Sequence, residues 1–399
     1  MFAKKGSPAM PDHGASPFAR PTPGLRIKKG GPPLRRPEAA EVAGFPERAK
    51  ELVESTWRSQ AACLGRGPYR LKWAKGRHFL LLGATGSGLG GALATAVLNL
   101  IGDSGSLTIV ARDLKRSLGY ETGLAMKGKA EQAGLGQRFQ WLNTGAALEG
   151  ERFEKIVLAL RDAGADRVVY VNTVAAAMSG LLPGYPPVFV KDVDETGLFE
   201  WELTPLDERS IEATQFTMGT MTVEFPNVLE RAGIGVEAAS YADWRGSLDR
   251  SSRDPGSADY GRQGAYSTSL YLPKEIIQAA TSSAYRAGMP VVDCFLPVMK
   301  TQALSMVPGA MSMAGLYETL MEKEGIRAVH PPELALGLLN RIGRTLHGED
   351  DNPFPRLDMH EACLDLWFLE VLMRLNEDED SDFYFKRWIR PSQPAQVGV

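Results

Sequence analysis

At 399 residues, 44% of them hydrophobic, the chain can hold one large α/β domain or two ordinary ones around a full core. A formal net charge of -3 excludes a dedicated nucleic-acid binder, whose phosphate contacts need a basic surplus. The 3 cysteines (Cys63, Cys294 and Cys363) and the 5 histidines are scattered, which argues against a disulfide framework or a zinc cluster and for a reducing, cytoplasmic setting.

Residues 1–42 are rich in Pro, Gly, Lys and Arg, as in Pro21–Pro23 and Lys28–Arg36, and read as a disordered tail; 391–399 reads the same way. Between them, 43–390 is expected to form a single catalytic domain. Order begins near Phe45, where Pro46-Glu47-Arg48 is expected to open a helix reaching Trp57 or Ala61. His78–Leu82 is a short buried strand, followed by a glycine-rich turn and a helix from Gly88 to Leu100. The apolar run Phe79–Leu100 has the length of a membrane span, but its glycines, Thr85 and Ser87 fit strand–turn–helix instead, so no membrane partner is expected. Leu107–Ala111, Phe139–Leu142 and Arg167–Val171 are the next strands, with helical patterns at Lys127–Ala133 and Phe153–Ala163 between them. Strands alternating with helices at this spacing predict a Rossmann-type, doubly wound parallel sheet.

Val188–Val193 and Leu198–Leu203 form a β-hairpin inserted beside that sheet. Helices are predicted at Pro205–Thr217 and Phe225–Ala232, then a strand at Gly235–Tyr241. Ser247–Gly264 is polar and reads as a loop. From Pro273 the pattern is helical, with a last strand at Val291–Leu296, a helix at Thr301–Glu324 and a helical C-terminal part through Leu375.

Leu80-Leu81-Leu82-Gly83-Ala84-Thr85-Gly86-Ser87-Gly88-Leu89-Gly90-Gly91 carries the strongest local signal. A buried strand ends in glycines that permit a tight turn and close backbone approach, and the next helix points its positive end at a pyrophosphate. Gly83, Thr85, Gly86, Ser87, Gly88, Leu89 and Gly90 are therefore the candidate phosphate cradle of a dinucleotide. The missing Gly-Lys-Ser/Thr ending disfavours a nucleoside triphosphatase. The second strand ends in Ala111-Arg112-Asp113 with Arg116 beyond. Asp113 suits the ribose hydroxyls of NADH, whereas Arg112 and Arg116 suit the 2′-phosphate and favour NADPH. Asn143, after the third strand, and Asn172, after the fourth, are further cofactor candidates.

Several segments between Arg77 and Leu375 together resemble the trans-2-enoyl-CoA reductases and FabV-type enoyl-acyl-carrier-protein reductases, large relatives of the short-chain dehydrogenases. The resemblance rests on Lys300-Thr301-Gln302-Ala303-Leu304-Ser305-Met306-Val307-Pro308, on Leu316–Gly325, on Ser240-Tyr241, on the order of the hairpin, and on Arg356-Leu357-Asp358. It implies reduction of the carbon–carbon double bond of an enoyl thioester, on coenzyme A or an acyl carrier protein, in fatty-acid or polyketide metabolism. It also implies a hydride from NADPH (NADH as the alternative), a Tyr that stabilises the enolate oxygen, and a Lys that holds the Tyr and the cofactor ribose. Lys274-Glu275 is similar to the family's helix start, so Lys274 takes the Lys role and Thr301 joins the cofactor contacts. The family separates its Tyr and Lys by eight residues. Here Tyr266 is followed by seven before Lys274 and Tyr260 by thirteen, so both remain candidates for the acid, with Tyr241 behind them. A monomer or homodimer is expected. Two alternatives follow from the altered spacing: a reductase of a ketone or another activated alkene, and a catalytically silent protein that binds the cofactor.

Overall fold

The computed structural model describes residues 27–29, 39–65, 69–84, 88–112, 117–174, 190–193, 199–203, 212–213, 215–243, 260–296, 330–355 and 357; at 27–29, 190–193, 199–203, 243 and 260–272 it describes the backbone alone. In chain order the elements are β1 (Ile27–Lys29), α1 (Ala39–Leu64), β2 (His78–Leu82), α2 (Leu89–Leu100), β3 (Ser106–Val110), α3 (Leu118–Gln132), β4 (Phe139–Leu142), α4 (Gly150–Asp162), β5 (Arg167–Asn172), β6 (Val190–Val193), β7 (Phe199–Leu203), α5 (Met221–Arg231), β8 (Gly235–Asp243), α6 (Tyr260–Arg286), β9 (Val291–Phe295) and α7 (Pro331–Leu346). A π-helical turn, Gln215–Thr220, leads into α5.

Six strands form one sheet in the order β4-β3-β2-β5-β8-β9. Every neighbouring pair is parallel. The chain steps outward from β2 to β4, then returns to lay β5 on the other side of β2, so the winding reverses between β2 and β5. The predicted doubly wound α/β fold is thus present. Leu81 and the all-buried β3 and β9 explain why these strands read as continuous apolar runs: both sheet faces are covered. One face packs Val53, Leu93, Met126 and Leu338 of α1, α2, α3 and α7 over Phe79, Leu81 and Val171. The opposite face packs Ile156, Phe225 and Ile277 of α4, α5 and α6 over Leu80, Tyr170 and Tyr241. Beyond β9, Pro353, Pro355 and Leu357 lie along the sheet edge: Asp293 N–H donates to the Pro353 carbonyl at 2.8 Å, Phe295 N–H to the Pro355 carbonyl at 3.0 Å, and Leu357 N–H to the Phe295 carbonyl at 3.0 Å.

Several boundaries differ from those read in the sequence. The hairpin of β6 and β7 is present, and it gains a third strand, because β1 pairs with β7 in parallel. Part of the segment read as disordered is therefore a strand. Helix α1 begins at Ala39 and carries Pro46 inside it, where Pro46 was expected to open it. Phe45 packs with Ala49 and Leu118, so the turn before the proline is held by tertiary contact. Helix α6 begins at Tyr260 and passes through Pro273, so the tyrosine-bearing stretch read as loop is helical. Helix α5 starts at Met221, and the π turn occupies the end of the helix predicted over Pro205–Thr217. The helix predicted at Thr301–Glu324 and the C-terminal part beyond Leu357 lie outside the described residues. Among the described residues no helix is long and apolar enough to cross a membrane.

Candidate active site

The carboxyl ends of the parallel strands lie side by side, in register, as Leu142, Val110, Leu82, Asn172, Tyr241 and Asp293. In open α/β sheets a ligand crevice forms outside these ends where the strand order reverses, here between β2 and β5. The ladder runs one residue past the strands: Gly83 N–H donates to the Val110 carbonyl at 3.0 Å, and Thr173 N–H to the Leu82 carbonyl at 2.9 Å. That fixes both lips of the crevice.

Two glycines of the turn are dictated by space. Gly83 has φ +79, and a Cβ on it would come within 2.9 Å of Val174 Cα. A Cβ on Gly90 would lie 2.8 Å from both Ala84 Cα and Thr173 Oγ1, so α2 packs against β5 only because Gly90 has no side chain. Gly88 caps α2 with no side-chain acceptor, leaving the first-turn amides for another anion. Gly83, Gly88, Leu89 and Gly90 are thus together at the crevice; Thr85, Gly86 and Ser87 lie outside the described residues. This donor set, close backbone with uncapped amides at a helix start, fits a dinucleotide pyrophosphate.

Arg112 is exposed just past β3, and Asp113 and Arg116 lie outside the described residues. Asn143 and Thr144 follow β4, half-buried, at the same end of the sheet. Asn172 faces α5. Its Nδ2 donates to Thr222 Oγ1 at 2.8 Å and to the Tyr170 hydroxyl at 3.3 Å, and its Oδ1 accepts from Val174 N–H at 2.7 Å. Three bonds inside the protein leave it as a strut between β5 and α5.

By strand alternation Tyr241 and Asp293 share the face of Asn172. Tyr241 is 5% exposed and meets the Tyr170 ring edge-on, with centroids 6.4 Å apart. Burial, reinforced by the Asp293 and Glu224 carboxylates, pushes its hydroxyl well above the usual phenol range, so it keeps its proton and can only donate or accept hydrogen bonds. Lys274 is 4% exposed, one helical turn before Ile277, which joins Tyr241 and Val291 in the same apolar cluster. It is twelve residues above the end of α6, about 18 Å, whereas β9 rises only about 13 Å from Val291 to Phe295. Lys274 therefore stands at the carboxyl end of the sheet, with Asn172 and Tyr241.

The two tyrosines proposed as partners of Lys274 are on its own helix, where a loop was expected. Tyr266 is about 12 Å and Tyr260 about 21 Å along the axis from Lys274; their side chains, and Thr301, lie outside the described residues. Sequence reasoning had no signal for Thr222 or Gly219, whose contacts are made between distant elements. It passed over Asp293, a carboxylate inside the apolar run Val291–Leu296 and fully buried, which composition alone could have flagged.

No family model matches the sequence, and no curated protein matches it. Solved structures do share its fold. The trans-2-enoyl-CoA reductase of Treponema denticola in complex with NAD is 16% identical, with a TM-score of 0.58 over 85% of this chain and 90% of that one. The trans-2-enoyl-CoA reductase of Clostridium acetobutulicum in complex with NAD is 15% identical, with a TM-score of 0.57 over 86% and 89%. Its complex with NADH gives a TM-score of 0.53 over 88% and 87%, again at 15% identity. The fold is that of these reductases. It is shared along most of both chains, and it is the fold of the family that the sequence motifs resemble.

Proposed function

We propose that this protein is a nicotinamide-dependent oxidoreductase that reduces the carbon–carbon double bond of an enoyl thioester, with NADPH preferred. The observation that carries the reading is the buried Lys274 standing at the same sheet end as the glycine turn, in a fold shared with enoyl-thioester reductases crystallised with NAD and NADH. A bound dihydronicotinamide supplies the hydride for the β-carbon. The chain's own residues do the rest. Gly83, Gly88, Leu89 and Gly90, with Thr85, Gly86 and Ser87, hold the pyrophosphate through backbone amides. Arg112, with Arg116, takes the 2′-phosphate against the preference of Asp113. Asn143 and Asn172 flank the bound nucleotide, Thr301 adds a cofactor contact, and Lys274 holds the ribose. Negative charge develops on the thioester oxygen as the double bond is reduced. A phenol hydrogen-bonded there stabilises it, a role for Tyr266, Tyr260 or Tyr241. The thioester carrier is coenzyme A or an acyl carrier protein.

Purified protein mixed with NADPH and crotonyl-CoA, or crotonyl-acyl-carrier-protein, should consume the NADPH absorbance and yield the butyryl thioester. NADH should be used less well, and Arg112→Ala should remove most of that difference, since a charge-assisted contact contributes about 1.5–3 kcal/mol, roughly tenfold or more in affinity. Oxidation of NADPH by ketones but by no enoyl thioester would replace the substrate class. Cofactor binding without turnover of either would leave a silent binder.

A further inference from the structure

The π turn Gln215–Thr220 is gripped from both sides. On one side Thr222, 3% exposed, accepts a hydrogen bond from Asn172 Nδ2 at 2.8 Å, while its own hydroxyl donates back to the Thr217 carbonyl inside the turn at 3.4 Å. Asn172 in turn holds the amide of Val174, and a Cβ on Gly83 would press on Val174 Cα at 2.9 Å. A continuous run of contacts therefore leads from the glycine turn through Val174, Asn172 and Thr222 to the π turn. On the other side Gly219 sits flat on α6. A Cβ on it would meet Pro273 Cα at 3.1 Å and Ile276 Cδ1 at 3.0 Å. These flank Lys274. Pro273 has no N–H, so α6 lacks one backbone bond at the point where the π turn, itself a departure from α geometry, rests on it. Two irregular backbones thus meet beside a buried lysine. A π turn costs helix regularity, and such turns cluster at functional sites.

We infer that the π turn is a positioning element: Thr222 and Gly219 are positioning residues that set Lys274 relative to the dinucleotide crevice. This rests on the reading of Lys274 as the residue that holds the cofactor ribose. Thr222 supplies the side-chain link in the chain of contacts, and Gly219 supplies the close seat on α6. A few tenths of an ångström at Gly219 move the backbone that carries Lys274, and misplacement of about 1 Å costs about a hundredfold in rate, so shifts this small should cost several-fold.

The test reads Lys274 directly as well as turnover. Competitive acetylation of all lysines, read by mass spectrometry against pH, reports the reactivity of Lys274 with or without catalysis. Thr222→Val keeps the shape and removes the hydroxyl; it should raise the labelling of Lys274 at least threefold, with the other lysines unchanged, and Thr222→Ser should restore it. Gly219→Ala should act in the same direction and serves if Thr222→Val folds poorly. In turnover with NADPH and crotonyl-CoA, Thr222→Val should lower kcat three- to tenfold and leave KM for crotonyl-CoA near wild type, and in a Lys274→Ala background it should cause no further loss. Unchanged labelling of Lys274 in both variants, or fully additive losses with Lys274→Ala, would overturn the inference. If labelling shifts as expected while the wild type reduces no enoyl thioester, the positioning stands and the proposed reaction falls.

Discussion

At the N-cap of α2, Gly88 has φ -92 and ψ -160, extended backbone open to any residue, so no strain requires glycine there. An Asp at this position would accept a bond from the first-turn amides and place its charge at the positive end of the helix. Both effects favour the fold, by a few tenths to about 1 kcal/mol. The same carboxylate would occupy the amides that the pyrophosphate needs and repel it. Fold and binding therefore pull in opposite directions at this residue. Gly88→Asp should leave the nucleotide-free melting temperature unchanged or higher, while NADPH affinity, followed by nucleotide fluorescence, falls at least a hundredfold. A variant that still binds NADPH normally would remove the phosphate site from this turn. Gly90 differs in kind, since its Cβ would strike backbone at 2.8 Å and substitution would disturb the fold as well.

Helix α6 carries its proline thirteen residues from its start, where the missing N–H leaves the Ser269 carbonyl without its helical donor. Alanine in a helix interior is favoured over proline by about 3 kcal/mol in model helices. Pro273→Ala should thus raise the melting temperature by a few degrees. If the interruption serves Lys274, turnover should fall at the same time, and a variant that is both more stable and fully active would show the proline to be merely tolerated. This helix also marks where sequence reading stopped. The strand, turn and start of α2 were legible because their signals are local: an apolar run, then glycines, then small apolar residues. The Tyr260–Leu272 stretch has no such pattern, and Pro273 looked like a helix opener because proline is common there. What seats Pro273 and Ile276 on the π turn is contact with Gly219, some fifty residues away. The strut from Asn172 to Thr222 spans a similar gap, with the hairpin between. Asn172 was legible as a position and Thr222 was not, because only the folded sheet makes them neighbours.

At the scale of the molecule, Tyr170, Tyr241 and Cys294 are among the described residues that carry a proton inside the core. Burial pushes each of them upward; Tyr241 adds to the effect at Tyr170, and the Asp293 carboxylate adds to it at Tyr241 and Cys294. An unfolded chain releases these protons from their ordinary values, 9.0 for the thiol and 10.0 for the phenols, while the fold retains them. The raised folded values mean that their stabilising share is complete below pH 9 and is lost as pH rises beyond it. Each group steepens the loss by about 1.4 kcal/mol per pH unit once only the unfolded chain has ionised. At the acid side His78 is pushed below its usual 6.5, first by burial, with Asp166 partly opposing. Its share is present above pH 6.5 and lost as pH falls, when the unfolded imidazole binds a proton that the folded one refuses. Urea unfolding stepped through pH should therefore show a plateau from about 6.5 to 9 with losses on both flanks. Tyr170→Phe separates the causes. It removes the hydroxyl's bond to the Thr222 carbonyl, 3.1 Å long, and should lower the whole plateau by about 1 kcal/mol. Above pH 10 it should also make the alkaline fall shallower by one proton, about 1.4 kcal/mol per pH unit. A lower plateau with an unchanged alkaline slope would mean that the Tyr170 hydroxyl ionises in the folded protein as freely as in water, against its place in the core.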